Sequence, residues 1–333
     1  MKARQIFFGA VIAFDLLFLA YVFGPRVAPV SMDVTLPEIQ VSLEMLDAFL
    51  AEKESRFSVK PDNESRVVWA AEPGVKTPYS VVYLHGWSAS AEEGNPVHRQ
   101  IAADLGANLY LPRLAGHGLA VENPLLDITA DALIDSAKEA LVIAQLLGDR
   151  VIILATSNGG ALALHLARAV ANLEAIVLYS PNIEIYDKTA KLLDDPWGLQ
   201  LARLVKGSDF NEIEMSEERK AFWYDKYRIE SLPHLQAFVH YTMRPGTFRA
   251  VKAPVFLGYY YKNDEEQDKV VSVEAMLEMY GYLGTPDSLK QKVAFPKAQD
   301  HILASPLASK DVEGVYNATR LFLKEVVNLP IRQ

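Results

Sequence analysis

At 333 residues, half of them hydrophobic, the chain can hold one large α/β domain or two average ones, and disorder is excluded as its ground state. The formal net charge is −9; Lys2, Arg4 and Arg26 against Asp15 leave the first thirty residues at +2 and the remainder at −11, which argues against nucleic acid as a partner. There is no cysteine, so disulfides, thiolate metal sites and a thiol nucleophile are removed together.

Behind Met-Lys-Ala-Arg come nineteen residues, 6–24, that are apolar or small except for Asp15. At about 1.5 Å per residue this run can cross a bilayer core of about 30 Å. Lys2 and Arg4 ahead of it place the N-terminus in the cytoplasm and the rest of the chain on the extracytoplasmic side, periplasmic or extracellular. The alternative is a secreted chain released by signal cleavage, but no small-x-small site stands near residues 21–25. Residues 1–26 are therefore expected as an N-terminal transmembrane anchor, with Asp15 costing a few kcal/mol unless protonated or paired.

Residues 27–65 read as a polar, proline-containing linker followed by a helix that opens at Pro37 and recurs on Ile39, Leu43, Leu46, Phe49 and Leu50. Strands are expected at residues 66–71 and 80–84, with Pro73-Gly74 as the turn between them. Then follow a helix at 96–105, a strand at 107–111, a helix at 128–147 closed by Gly148, a strand at 151–154, a helix at 161–170 and a strand at 173–179. Such alternation argues a mainly parallel sheet covered on both faces. It stops at residues 182–251, which carry Trp197, Phe222, Trp223, Tyr224, Tyr227, Phe238 and Tyr241 at helical spacing with no convincing strand, and which suit an inserted helical lid. Alternation resumes with a strand at 254–260, a helix at 273–283, a strand at 290–295 and a helix at 310–327, so the core is expected over residues 66–181 and 252–333.

Chemistry concentrates where the apolar strand at 151–154 meets Ala155-Thr156-Ser157-Asn158-Gly159-Gly160. This is the pattern of a strand-to-helix elbow with a serine at its tip, where a strained backbone needs small neighbours two positions to either side. Ala155 and Gly159 supply them; the bland alternative is a serine in an ordinary buried turn. A serine hydroxyl needs a base. Of seven histidines, His301 stands directly after the last strand, at the same sheet edge as the elbow. His117, between glycines, is second; His165 falls in the elbow helix and suits the core. His234 and His240 show no metal-ligand spacing, and nothing resembles H-E-x-x-H, so no catalytic metal is expected. An acid should fall between serine and histidine in chain order. The loop at 261–271 offers two, and Asp268, ahead of Lys269-Val270-Val271, is favoured over the alternative Asp264. Backbone N–H groups for a developing oxyanion are expected from Asn158, at the start of the elbow helix, and from Trp87, in the loop after the strand at 80–84. In that loop Gly86 permits close approach and His85 acts as a brace.

On these residues the chain resembles the α/β-hydrolases, and more narrowly the lid-bearing carboxylesterase, monoacylglycerol lipase and serine aminopeptidase group. Four ordered blocks carry the resemblance over residues 67–327: Leu84-His85-Gly86-Trp87, Arg113-Leu114-Ala115-Gly116-His117-Gly118, Thr156-Ser157-Asn158-Gly159-Gly160 and Asp300-His301. It implies an α/β-hydrolase fold, a mainly parallel doubly wound sheet with an inserted helical lid, here preceded by an N-terminal transmembrane helix. It also implies a serine hydrolase of carboxylic esters with a Ser157, His301, Asp268 triad, an acyl-enzyme intermediate, a small-molecule ester or acyl substrate and no cofactor. The departures are Ala155, where glycine is usual, and a lengthened acid loop. A serine aminopeptidase or thioesterase is the alternative within enzymes, and a non-catalytic ligand-binding protein is the alternative outside them. An aminopeptidase must bind an ammonium, for which the lid offers Glu212, Glu214, Glu217 and Glu218.

Overall fold

Short β-branched and apolar runs form the sheet, and amphipathic runs between them supply the helices that cover it. The computed structural model describes residues 2–331. Helix α1 (Lys2–Val22) is apolar, with a mean hydropathy of 2.0 over Gln5–Val22, and its described side chains are almost all exposed. Residues 25–42 are irregular and lead to α2 (Leu46–Glu54). The helix expected to open at Pro37 is thus a correction: Ile39, Val41 and Leu43 are half-buried against the core while residues 40, 42 and 44 are exposed. That alternation is the period of extended chain, and it outweighs the helical spacing that the same residues share with Leu46 and Leu50.

The body of the molecule runs β1 (Arg66–Val68), β2 (Thr77–Leu84), α3 (Val97–Leu105), β3 (Asn108–Leu111), α4 (Ala130–Leu147), β4 (Gly148–Thr156), α5 (Asn158–Leu166) and β5 (Leu173–Tyr179). An insertion follows, with α6 (Gly198–Lys206), β6 (Phe210–Glu212), α7 (Glu217–Lys220), β7 (Lys226–Arg228), α8 (Ser231–Thr242) and α9 (Pro245–Ala250). Then come β8 (Val255–Tyr259), α10 (Val273–Tyr282), β9 (Lys290–Ala294) and α11 (Val312–Glu325). β1 stops short of its expected end because the Ala70 amide donates to the Asn108 side chain, 3.0 Å, instead of to a strand. β6 and β7 pair antiparallel in a stretch where no strand was expected; three residues apiece are too few to display a period.

The seven-stranded sheet has the order β1-β3-β2-β4-β5-β8-β9, parallel throughout except for β1 against β3. Alternate residues feed two cores. Val82, Leu84, Ile153, Ala155 and Leu178 pack with α4, α5 and α10 on one face, whereas Val81, Tyr83, Ile152, Leu154 and Val177 pack with α3 and α11 on the other. Each fully buried Leu, Ile, Val or Phe contributes roughly 1.5–3 kcal/mol of transfer free energy. Side-chain caps set two of the covering helices: Thr129 accepts from the Ala132 amide at α4 and Ser272 from the Ala275 amide at α10. The chain passes from β2 outward to β3 and then back across β2 to β4, so the connections diverge between β2 and β4. That divergence opens a crevice at the carboxyl ends of those two strands, which is where sheets of this type place their sites.

Candidate active site

β4 ends at Thr156, and α5 begins at Asn158, leaving Ser157 alone in the turn with φ 53° and ψ −117°. A non-glycine residue there is strained and must be held by its surroundings. The Ser157 amide donates to the Tyr179 carbonyl, 3.0 Å, and the Ser157 carbonyl accepts from the Asn182 amide, 2.8 Å. Gly159 meets the backbone after β2 so closely that a Cβ there would be driven into the Leu84 carbonyl. Ala155, by contrast, is a fully buried strand residue paired with Leu84 and Leu178, so its methyl group is accommodated.

Ser157 lines a cavity of about 940 Å³ together with Trp87, Glu93, Asp268 and His301. The imidazole arrives on the loop after β9, and its Nδ1 lies 2.6 Å from Asp268 Oδ2. Asp268 Oδ1 accepts from the amides of Val270, 2.9 Å, and Val271, 3.1 Å, which fixes the carboxylate and leaves Oδ2 for the ring. The insertion braces this loop, since the Tyr186 amide donates to the Val270 carbonyl and the Ser272 amide to that of Glu184. Burial alone would lower the His301 pKa, but the Asp268 carboxylate, with Glu93 and Asp300 further off, holds it above the ordinary imidazole value. His301 Nε2 is buried with no hydrogen-bond partner among the described residues. Asp264 is elsewhere: exposed, and accepting from the Tyr261 hydroxyl at 2.9 Å.

The loop after β2 is held from several sides. His85 Nδ1 donates to the Gly86 carbonyl, 2.9 Å, while Nε2 accepts from the Leu114 amide, 3.1 Å, an arrangement only a neutral ring can make. Burial pushes the His85 pKa down to about 3 and that of His117 down to about 4, so both stay neutral. His117 stands edge-on to the rings of His85 and Trp87, with centroids 5.1 and 5.4 Å away. The Tyr224 amide of the insertion donates to the Ser88 carbonyl, and the Tyr224 hydroxyl accepts from the Leu119 amide, 2.6 Å. The amides of Trp87 and Asn158 donate to no group among the described residues. Asn158 heads α5, so its N–H sits at the positive end of the helix dipole.

One buried carboxyl in the cavity escaped the sequence reading. Glu93 Oε2 accepts from the Gly86 amide, 2.6 Å, and from the Tyr83 hydroxyl, 3.2 Å; Tyr83 also bonds Thr156, the residue before Ser157, at 2.7 Å. Burial pushes the Glu93 pKa up to about 7, against the pull of the Gly86 amide and of His301. The local signal was misleading, because Glu92-Glu93 within a polar stretch reads as a solvated turn. Glu212, Glu214, Glu217 and Glu218 are exposed and do not line the cavity. His165 and His240 are remote from it, in edge contact with Phe238 and bonded to Asp194 respectively.

A model of the alpha/beta hydrolase family matches residues 81–312, which takes in the sheet from within β2 to β9 and every residue of this cavity mentioned above. The chain belongs to the alpha/beta hydrolase family. Solved structures similar to this hydrolase share its fold at low sequence identity. One represents LipS and LipT, two metagenome-derived lipolytic enzymes, with 18% identity, a TM-score of 0.64, and coverage of 80% of this chain and 99% of the other. The monoacylglycerol lipase of Paleococcus ferrophilus has 14% identity and a TM-score of 0.55, covering 79% and 98%. Est1E from Butyrivibrio proteoclasticus with ferulic acid bound has 16% identity and a TM-score of 0.52, covering 80% and 95%. No curated protein matches the hydrolase in sequence.

Proposed function

We propose that this hydrolase is a membrane-anchored serine esterase acting on carboxylic esters of apolar acyl groups. The observation that carries the reading is the convergence, in one cavity, of the strained Ser157 and a histidine whose far nitrogen is held by a buried aspartate. Ser157 Oγ attacks the ester carbonyl carbon as its proton passes to His301 Nε2. The tetrahedral oxyanion is received by the Trp87 and Asn158 amides, each worth roughly 3 to 4 kcal/mol of transition-state stabilisation. His301 then gives the proton to the leaving alkoxide, and the acyl group remains on Ser157. Water repeats the sequence, releasing the carboxylic acid and restoring the serine, while Asp268 keeps Nδ1 protonated and steadies the imidazolium.

The apolar wall supports an acyl substrate: Leu192, Leu201, Ile229, Leu232 and Leu235 line the cavity, all of them from the insertion at residues 182–251, which serves as a lid. The lipolytic enzymes and the monoacylglycerol lipase among the structural neighbours agree with ester chemistry. The aminopeptidase alternative is disfavoured because the four lid glutamates named above lie outside the cavity. The apolar span of α1, residues 5–22, with Lys2 and Arg4 ahead of it in sequence, anchors the chain with residues 27–333 on the extracytoplasmic side.

Labelling with a fluorophosphonate tests the nucleophile. Wild type should be modified at Ser157, and Ser157→Ala should lose both the label and the turnover of short and long acyl esters. Ester turnover that survives in Ser157→Ala would refute the mechanism. A preference for aminoacyl amides or acyl thioesters over esters would redirect the substrate assignment.

A further inference from the structure

Helix α1 does not leave the hydrolase as a free tether. Trp197, at the head of α6, donates its indole N–H to the Ala20 carbonyl, 2.9 Å, and its backbone amide to the Pro25 carbonyl, 2.8 Å. The indole lies so close on Gly24 that any side chain there would collide with it. Ala20 is within the last turn of α1, and Phe23, just beyond, is highly exposed. If α1 spans a bilayer, this contact stands at the membrane boundary, a depth at which tryptophan is favoured because its ring is apolar and its N–H is polar.

The next turns of α6 stay close to that boundary, since Leu201 and Leu204 lie no more than about 6 to 11 Å of helix rise from Trp197. Leu201, Leu204 and Val205 occupy i, i+3 and i+4 on one face and are 42%, 79% and 77% exposed. Scattered surface leucines need no explanation, but these are aligned and continuous with the cavity. Leu201 and Val205 line it from within, and so do the exposed Leu192 and Ile213. Apolar side chains thus extend from the outside of α6 to the chamber that holds Ser157.

We propose that α6 lies in the bilayer interface, clasped there by Trp197 against the end of α1, so that the cavity mouth opens onto lipid and takes a membrane-resident amphiphile, a long-chain acyl ester with a small polar head. The inference rests on reading α1 as an anchor and Ser157 as the nucleophile of an esterase. The occupant is lipid, not a protein partner, because the anchor itself fixes what lies beside α6. Short amphipathic helices dock by burying such a face at the headgroup boundary.

The full chain in phosphatidylcholine vesicles allows a test on two esters, a long-chain monoacyl ester embedded in the vesicles and a water-soluble short-chain ester. Leu204→Glu, which changes a residue outside the cavity, should lower the rate on the embedded ester about tenfold and leave the soluble rate unchanged. Trp197→Ala should act in the same direction. Equal loss on both esters, or no loss on either, overturns the inference. Because the chain has no cysteine, Leu204→Cys can carry a single polarity-sensitive dye. Quenching of that dye by spin-labelled lipid is expected, and a dye that remains in water overturns the docking whether or not either ester is turned over. Failure of wild type on both esters would instead defeat the esterase reading, and release of wild type from vesicles by alkaline carbonate would defeat the anchor.

Discussion

Glu93 Oε2 lies 2.6 Å from the amide nitrogen of Gly86, so a buried carboxyl holds the loop that carries Trp87. The same residue lines the cavity beside Ser157 and His301. Its folded-state pKa of about 7 is above the ordinary 4.5, which means that the native state favours the protonated form. The stability tied to this group is fully present below about 4.5 and is lost as pH rises through 7. A shift of that size corresponds to roughly 3 kcal/mol. Glu93→Gln keeps an acceptor for Gly86 and cannot ionise. Urea unfolding should show the variant gaining on wild type between pH 5 and pH 8, and a constant difference across that range would count against the buried charge.

The same charge reaches the imidazole, because Glu93 is among the groups that raise the His301 pKa. A base must be neutral to accept the serine proton, so the acid limb of kcat/KM should lie above that of ordinary imidazole. Glu93→Gln removes a nearby negative charge and should move that limb to lower pH. A limb that stays in place in a pH series on the short-chain ester would show that the two groups do not communicate.

Asp268 and Asp264 offer a sharper contrast. Asp268 is buried, receives two amide hydrogen bonds on one oxygen and meets His301 Nδ1 with the other, while Asp264 is exposed beside Tyr261. Asp268→Asn should lower kcat about a thousandfold or more, through loss of the imidazolium partner and the wrong ring tautomer. Asp264→Asn should stay within about twofold, as a surface change. The reverse order in steady-state kinetics would move the acid role to Asp264.

The sequence displays the parts of this molecule whose signal is local. The elbow is legible because strand, small residues and helix are contiguous from Val151 to Leu166, and the alternation of strands and helices needs only burial periods to be seen. Meeting of Asp268 with His301 also follows from chain order and sheet edge, although the choice between two aspartates depends on loop packing that no period records. Glu93 is illegible for the opposite reason. Its burial comes from Gly86, Tyr83 and the loop between β2 and α3 folding back on itself, and a glutamate in a polar run carries no mark of that. Residues 37–43 mislead because Ile39 and Leu43 fit a helix while Ile39, Val41 and Leu43 fit extended chain, and only the neighbouring core decides.

Gly159 tests how tightly the elbow is built. The position is limited by the Leu84 carbonyl, a backbone group that cannot swing away as a side chain would. Gly159→Ala should therefore cost at least about 3 kcal/mol, at the upper end for overpacking, and should lower ester turnover along with stability. A variant with unchanged thermal midpoint and unchanged kcat would mean that β2 and α5 approach less closely than described.

Arg113 and Glu54 form the pair on which the outer brace of the site depends. Arg113 Nε lies 2.7 Å from Glu54 Oε2 with both side chains almost fully buried, and the guanidinium also donates to the His117 carbonyl at 3.1 Å and covers the Phe57 ring. Glu54 in turn accepts from the Ser65 amide, so the end of α2, the residue ahead of β1 and the 113–118 turn meet at one ion pair. Removing one partner leaves a buried charge alone, which costs about 3–5 kcal/mol, whereas replacing both with apolar side chains of similar size can be nearly neutral. Glu54→Ala and Arg113→Ala should each be strongly destabilising by urea unfolding, and Glu54→Leu with Arg113→Met should recover most of the loss. The double variant should nevertheless turn over ester more slowly, because the His117 carbonyl loses its donor and His117 is packed against Trp87. Full recovery of kcat together with stability would show that the pair supports the fold alone and has no bearing on the Trp87 amide.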